Sequence, residues 1–352
     1  MGKTMTSMER VLTALSHKEP DRVPLFLLLS LYGAKELKMT PEEYFSKAEN
    51  VVKAQLRMMK KYPNDCIDAF FYAGIEIEAW GGRTIFKADG PPVSGKPIIE
   101  SIEQIDTLKA PHVSESESLQ KVLTTIRMLK EEVGDTIPVV GVVISPFSLP
   151  VMQMGFDKYL DLLYLDKMRF EKLMTLNEAF CVEWANAQLE AGATAICYFD
   201  PLSSPSMIPK NLYMKTGYHI AKCTLSKING PTATHFASGA CLPILEETIE
   251  SGTALVGVST LEDLTTLKEK CKGRISILGN LNGIEMRRWT SDDVTRIIQG
   301  IIKQAAAGGG FIISDNHGEI PYQVPEKVLI DIIESVKKWG TYPLDWIDDH
   351  EG

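Results

Sequence analysis

No two cysteines in this 352-residue sequence are spaced Cys-x-x-Cys. The six present, Cys66, Cys181, Cys197, Cys223, Cys241 and Cys271, lie far apart, so neither a zinc ribbon nor a disulfide framework is indicated, and a reducing compartment is expected. Long apolar runs are missing as well. The longest, 24–31, is far too short to span a bilayer, and the charged start of the chain has no apolar signal core, so the expected location is cytoplasmic. Clustered Lys and Arg are lacking and the net charge is −9, which argues against nucleic acid or membrane as partners. No linker, low-complexity segment or charge block divides the chain. No Gly-x-Gly-x-x-Gly follows a strand-like run and opens a helix; Gly308-Gly309-Gly310 precedes a strand, the wrong side for a phosphate cradle.

What is there is ordinary globular composition, with 44% hydrophobic and 24% charged residues, arranged as short β-rich apolar runs alternating with longer amphipathic stretches. Eight runs read as strands: 23–29, 69–75, 138–144, 193–198, 232–235, 255–258, 275–278 and 310–313. Helices are expected over 156–191 (one or two), 207–226, 242–251, 261–270, 291–307 and 325–339. Strand–helix alternation predicts a parallel sheet with crossover helices. The simplest architecture is a single (β/α)8 TIM barrel spanning 1–352, with a short helical extension over about 1–20.

A barrel of this kind builds its active site at the carboxyl ends of its strands, so polar residues just beyond each apolar run are the candidates. Strand two runs into Glu76-Ile77-Glu78, strand three into Ser145-Pro146-Phe147-Ser148 and strand four into Asp200-Pro201. Strand five ends at His235, strand seven at Asn280-Leu281-Asn282 and strand eight at Asp315-Asn316-His317-Gly318-Glu319. Each has a structural reading beside the functional one. Glu76 and Glu78, alternating in strand fashion, share one face of a site or merely a solvated strand end. Asp200 handles a substrate or proton, or caps the turn at Pro201. Asn280 and Asn282 suit a turn. A lone strand-end histidine is usually structural, but His235 and His317 together point to acid–base or metal-binding work. Met152 and Met154 offer a soft apolar wall or simply fill the core.

Taken in order, these segments resemble the uroporphyrinogen decarboxylase superfamily, and within it the methylcobamide-dependent methyltransferases. The resemblance covers nearly the whole chain. It runs from Met8-Glu9-Arg10-Val11 and Asp21-Arg22-Val23-Pro24 through Glu76-Ile77-Glu78-Ala79-Trp80-Gly81, Gly141 to Leu149, Asp200-Pro201 with Ser204-Pro205, and Thr234-His235. It continues through Leu278-Gly279-Asn280-Leu281-Asn282 and closes at His317-Gly318-Glu319-Ile320-Pro321 with Val324-Pro325. Two departures sort the branches. The decarboxylases have an arginine-rich segment after strand one and a Phe-Ser-Asp segment at strand two, whereas this chain has Ser30 to Lys35 and Phe70-Phe71-Tyr72-Ala73-Gly74. Members that methylate a thiol have His-x-Cys on strand five and a Cys on strand eight; here His235 is followed by Ala237, Cys241 comes later, and strand eight offers Asn316-His317.

The resemblance therefore implies a corrinoid-dependent methyltransferase, the substrate-side component of an O-demethylase acting on a methyl ether such as a methoxylated aromatic. The same geometry would serve methyl transfer from methylcorrinoid to an acceptor. A rival is a decarboxylase of a smaller acid, for which Arg83 and Lys35 are the nearby cations. The implied catalytic residues are His235, His317 and Asp200, with Glu78, Asn280, Phe147, Tyr32, Trp80 and Glu319 around the substrate. Zinc is a candidate cofactor, held by His235, His317 and Glu78; otherwise a histidine acts as general acid. The cobalamin is expected on a separate corrinoid protein, the other partner being a small methyl donor or acceptor, with the chain itself a monomer or homodimer.

Overall fold

The computed structural model describes residues 4–350; residues 1–3 and 351–352, at the ends of the expected domain, lie outside it. The described residues form ten strands: β1 (Leu25–Phe26), β2 (Ile67–Asp68), β3 (Thr84–Ile85), β4 (Val93–Ser94), β5 (Val139–Ile144), β6 (Ala195–Phe199), β7 (Thr232–His235), β8 (Leu255–Gly257), β9 (Ser276–Leu281) and β10 (Phe311–Asp315). Eight of them pair in parallel in the order β1-β10-β9-β8-β7-β6-β5-β2, and helices surround them as a (β/α)8 barrel. β3 and β4 form a separate antiparallel hairpin that periodicity alone does not reveal.

Between β1 and β2 the ring is completed by one backbone bond, from the Asp65 N–H to the Leu25 carbonyl at 2.8 Å, and otherwise by side chains. Asn64 accepts the Leu27 N–H on Oδ1 at 2.8 Å and returns Nδ2–H to the Leu27 carbonyl at 3.0 Å, so its amide imitates a neighbouring strand. Asp65 accepts the Leu25 N–H at 2.8 Å and also binds Arg10 and Arg22, each at 2.7 Å. Its carboxylate is fully buried; the two guanidiniums and the amide supply the partners that a buried charge requires.

The outer helices form for local reasons that the sequence states. Glu117–Val133 begins at Ser116, whose hydroxyl accepts the Leu119 N–H, and buries Leu119, Val122, Leu123, Ile126 and Leu129 at three- and four-residue spacing. Ser291–Ala305 opens with a reciprocal Thr290–Asp293 capping box and buries Val294, Ile298, Ile301 and Ile302. The expected N-terminal extension contains the helix Ser7–Leu15, capped by Thr6 and Glu9. Its Val11 and Leu15 pack with Phe26, Leu28, Cys66, Leu278 and Ile312, closing the end of the barrel opposite the strand carboxyl ends.

The strands expose their two faces unequally. On β5, Val139, Gly141 and Val143 are buried under helices, while the intervening Val140 and Val142 are only half-buried. β6 repeats this: Ile196 and Tyr198 are buried, whereas Ala195, Cys197 and Phe199 are not fully covered. The axis of the barrel is thus less filled than its outer shell.

One predicted strand is misplaced. The run 69–75 is not β: β2 ends at Asp68, and Gly74–Ala79 is a helical turn. Glu76 and Glu78 consequently do not alternate across a strand. Asn280, expected in a turn, lies inside β9.

Candidate active site

His235 closes β7 and turns its ring toward the barrel axis, where Gly257 on the neighbouring strand leaves room for it. A Cβ at Gly257 would stand 2.5 Å from Cδ2 of His235, so any side chain there displaces the imidazole. Phe199 at the end of β6 lies against the ring, with centroids 5.7 Å apart and planes 21° from parallel. The third restraint is a hydrogen bond: the N–H of Ala237 donates to Nδ1 at 3.0 Å. Ala237 achieves this at φ 52, in the left-handed region that alanine seldom adopts. An Nδ1 that accepts leaves the proton of a neutral ring on Nε2. That nitrogen is buried beside the backbone of Asp315 without a well-formed hydrogen bond. Burial, with His317 nearby, pushes the His235 pKa down to about 4, so the ring is neutral near pH 7 and presents an N–H donor.

His317 follows β10 and lines the same cavity; burial lowers its pKa too. Its backbone N–H and that of Gly318 both donate to Asp315 Oδ2 at 3.0 Å, which fixes the turn that carries the imidazole. Three carboxyl groups gather near these histidines. Asp68 faces the cavity from the end of β2 and accepts the Phe70 N–H at 2.8 Å; burial, reinforced by Glu319 and Asp315, pushes it up to about 8. Burial takes Asp315 up to about 7 against the two amides it accepts. Glu319 is also raised by burial, while Ser30 Oγ at 2.5 Å and the Leu31 N–H at 2.8 Å oppose the shift. Like charges cannot accumulate in a desolvated cluster, so protons are retained there near neutrality.

The expected residues divide into two groups. His235, His317 and Glu319 come together at one cavity. Asp200 does not join them: it is buried beside β5, where its carboxylate accepts Ser145 Oγ at 2.6 Å, Ser148 Oγ at 2.7 Å and Ser203 Oγ at 2.6 Å. These bonds latch the loops after β5 and β6 to each other. Glu78 accepts the Tyr72 hydroxyl at 3.0 Å and reaches the cavity only through that ring, while Glu76 accepts the Ile144 N–H at 2.9 Å. Asn280 donates to the Ser259 carbonyl at 3.1 Å.

The expected apolar wall is corrected. Phe147 is buried against Tyr159 and Phe170, Trp80 against Phe180, and Tyr32 against Tyr62, all outside the cavity. Met154 is likewise core. The aromatic lining is instead Phe26, Phe70, Tyr72 and Phe199, with Pro91 and Pro92 of the hairpin segment at the mouth. Asp68, Phe70 and Tyr72 were masked in the sequence because the apolar run 69–75 drew the strand boundary past them. Asp68 itself closes β2 and brings an acid to the cavity.

The zinc set His235, His317 and Glu78 is not assembled, since Glu78 is held behind Tyr72. Among the described residues no three His, Cys, Asp or Glu side chains are grouped to hold a metal ion. The cationic clamp of the rival reading is not at the cavity either. Lys35 donates to the Tyr32 hydroxyl and to the carbonyls of Tyr322 and Val324, Arg83 is exposed, and no Lys or Arg is among the described residues lining the cavity. No helix among the described residues is long and apolar enough to cross a membrane.

The family model described as Uroporphyrinogen decarboxylase (URO-D) matches residues 6–339. Curated relatives include the uroporphyrinogen decarboxylases of Pelobacter propionicus, 25% identical with 89% of this chain and 93% of that protein covered, and of Idiomarina loihiensis, 22% identical with 94% and 96% covered. Among solved structures, a methyltransferase from Methanosarcina mazei superposes with a TM-score of 0.79 at 18% identity, covering 95% of this chain and 99% of that one. A B12-independent methionine synthase from Shewanella gives a TM-score of 0.53 at 14% identity, with 92% and 98% covered. With its strand-end residues in place and a family model spanning the barrel, the chain belongs to the uroporphyrinogen decarboxylase family.

Proposed function

We propose that this chain is a methyltransferase that takes a methyl group from an oxygen donor for a corrinoid carried by a separate protein. The observation that carries the reading is the make-up of the cavity mouth: two neutral proton-holding groups, His235 and Asp68, with no Lys or Arg among the described lining residues. A decarboxylase of a polycarboxylate needs the opposite, because each unpaired carboxylate taken from water costs several kcal/mol. The fold shared with the Methanosarcina mazei methyltransferase agrees with methyl transfer. Ala237, at the position where the thiol-methylating members have cysteine, favours oxygen over sulfur.

A corrinoid, when bound, supplies a cobalt nucleophile for the methyl carbon. The chain's own residues handle the leaving group. As the methyl–oxygen bond breaks, its electron pair stays on oxygen, where the His235 Nε2–H donates a hydrogen bond to the growing negative charge. Asp68, protonated near neutral pH, transfers its proton to that oxygen and becomes the carboxylate, giving a hydroxyl product. Phe199 and Gly257 hold the imidazole in register, and Phe70 and Tyr72 exclude water from the mouth.

The test is anaerobic incubation with free cob(I)alamin and a panel of ethers, amines, thioethers and halides, following the methylcobalamin spectrum. Methylation from an ether that is lost in His235→Ala supports the proposal. No methylation from any member of the panel would sink it.

A further inference from the structure

The interior of a (β/α)8 barrel is ordinarily packed by layers of bulky side chains. This one encloses a chamber of about 290 Å³ beneath the mouth, roughly twice the ~150 Å³ of an apolar cavity that accepts benzene. The unequal faces of β5 and β6 describe the same space from its walls, since the axis-facing Val140, Val142, Ala195 and Cys197 keep accessible surface while their outward neighbours do not. Small residues make the room: Ala195, Cys197 and Ala233 stand where a filled barrel carries Leu or Ile. Val11 and Leu15 of the N-terminal helix form its floor. Charge-bearing side chains line only the top, and the Cys197 thiol below them is pushed up to about 12 by burial, hence neutral.

We infer that this chamber seats the body of the substrate and that the body is an uncharged apolar ring, so the methyl donor is a neutral aryl methyl ether rather than a methoxylated aromatic acid. This deepens the methyl-transfer reading and rests on it for the chemistry. The ring descends between Val140, Ala195 and Ala233, the ether oxygen reaches the level of His235 and Asp68, and the methyl group points to the mouth. A carboxylate on the far side of the ring would be driven into an apolar wall without a counter-ion, and at the top it would meet two acids, Asp68 and Glu319, instead of an arginine.

Calorimetric titration of the intact protein without corrinoid, at about pH 6.5 where a benzoate is ionised, compares methoxybenzene with 4-methoxybenzoate. Methoxybenzene is expected to bind at least about 100-fold more tightly, the penalty of burying one unpaired carboxylate. Filling the chamber by Ala233→Leu should weaken methoxybenzene at least about 10-fold, as its ring and the new side chain compete for one space. Equal affinities, no methoxybenzene binding at millimolar concentration, or an unchanged affinity in a folded Ala233→Leu protein overturns the inference. Should that variant fail to fold, the ratio of the two wild-type affinities decides alone. Binding of methoxybenzene without methyl transfer to cob(I)alamin would leave the chamber standing and remove the proposed reaction, so the two ideas fail separately.

Discussion

The backbone N–H of Ala237 donates to Nδ1 of His235 at 3.0 Å, and it does so from a left-handed conformation at φ 52. A single amide therefore selects the tautomer in which the ring proton sits on Nε2, the nitrogen buried beside the Asp315 backbone. Ala237 thus acts on the histidine through its main chain alone.

His235 should contribute to turnover more than to substrate binding. His235→Ala is expected to lower kcat by about 10²–10³-fold with little change in KM, the range seen when one donor to a developing oxyanion is removed. Gly257→Ala retains the histidine but puts a methyl where it would stand 2.5 Å from Cδ2 and displaces the ring, so a loss of similar direction is expected with the fold retained by circular dichroism. Steady-state kinetics of both variants, with thermal melts beside them, check this.

The buried acids predict a pH dependence of definite sign. Asp68 and Asp315 have folded-state pKa values raised to about 8 and about 7, above the ordinary carboxyl range near 4, so the folded state holds protons the unfolded chain has lost. Their stabilising contribution is complete below about pH 4 and is lost as pH rises toward 7 and 8. Urea unfolding midpoints should fall across that window. Asp68→Asn should flatten part of the slope and, at about pH 8, raise stability on the order of 1 kcal/mol or more. Activity should fall over the same alkaline limb if Asp68, as proposed, donates its proton in the acid form.

Asp65 joins the ends of the sheet. Asp65→Ala strips Arg10 and Arg22 of their buried partner and the Leu25 N–H of its acceptor, and is expected to destabilise the protein by about 3–5 kcal/mol. Chemical denaturation measures it; a loss below about 1 kcal/mol would be incompatible with the seam as described.

Asp200 is a latch, and kinetics separate a latch from a substrate ligand. Asp200→Asn is expected to lower stability by about 1–3 kcal/mol by disturbing three buried serine hydrogen bonds, with KM for the methyl donor unchanged within about 3-fold. A large rise in KM without loss of stability would return Asp200 to the site.

Much of this architecture was legible in the chain, and the reasons for the rest are physical. Apolar runs over 138–144, 232–235, 255–258 and 310–313 lie close to β5, β7, β8 and β10, because buried parallel strands read as short continuous β-rich segments. His235, His317 and Glu319 could be placed at one end because strand carboxyl ends are marked by where the apolar runs stop. Phe147, Trp80 and Tyr32 lie outside the cavity, because the resemblance that placed them around the substrate marks their segments but not on which side of the strand wall each ring is buried. Phe70, Phe71 and Tyr72 carried the second run beyond the end of β2, since aromatic residues favour strands on average, yet here Phe71 and Tyr72 fill a loop against Phe45 and Phe86 and Phe70 lines the cavity. The Asn64 and Asp65 seam has no sequence signature, for it depends on tertiary approach.

A barrel with its bulk in the outer shell should respond unusually to hydrostatic pressure. Compression favours whichever state eliminates internal free volume, and unfolding eliminates the chamber between β5, β6 and β7. The protein is thus softer to compression than a barrel of equal size with a packed axis. Occupying that space, by a ring-shaped ligand or by a leucine at position 233, turns the mechanical weak point into a strut.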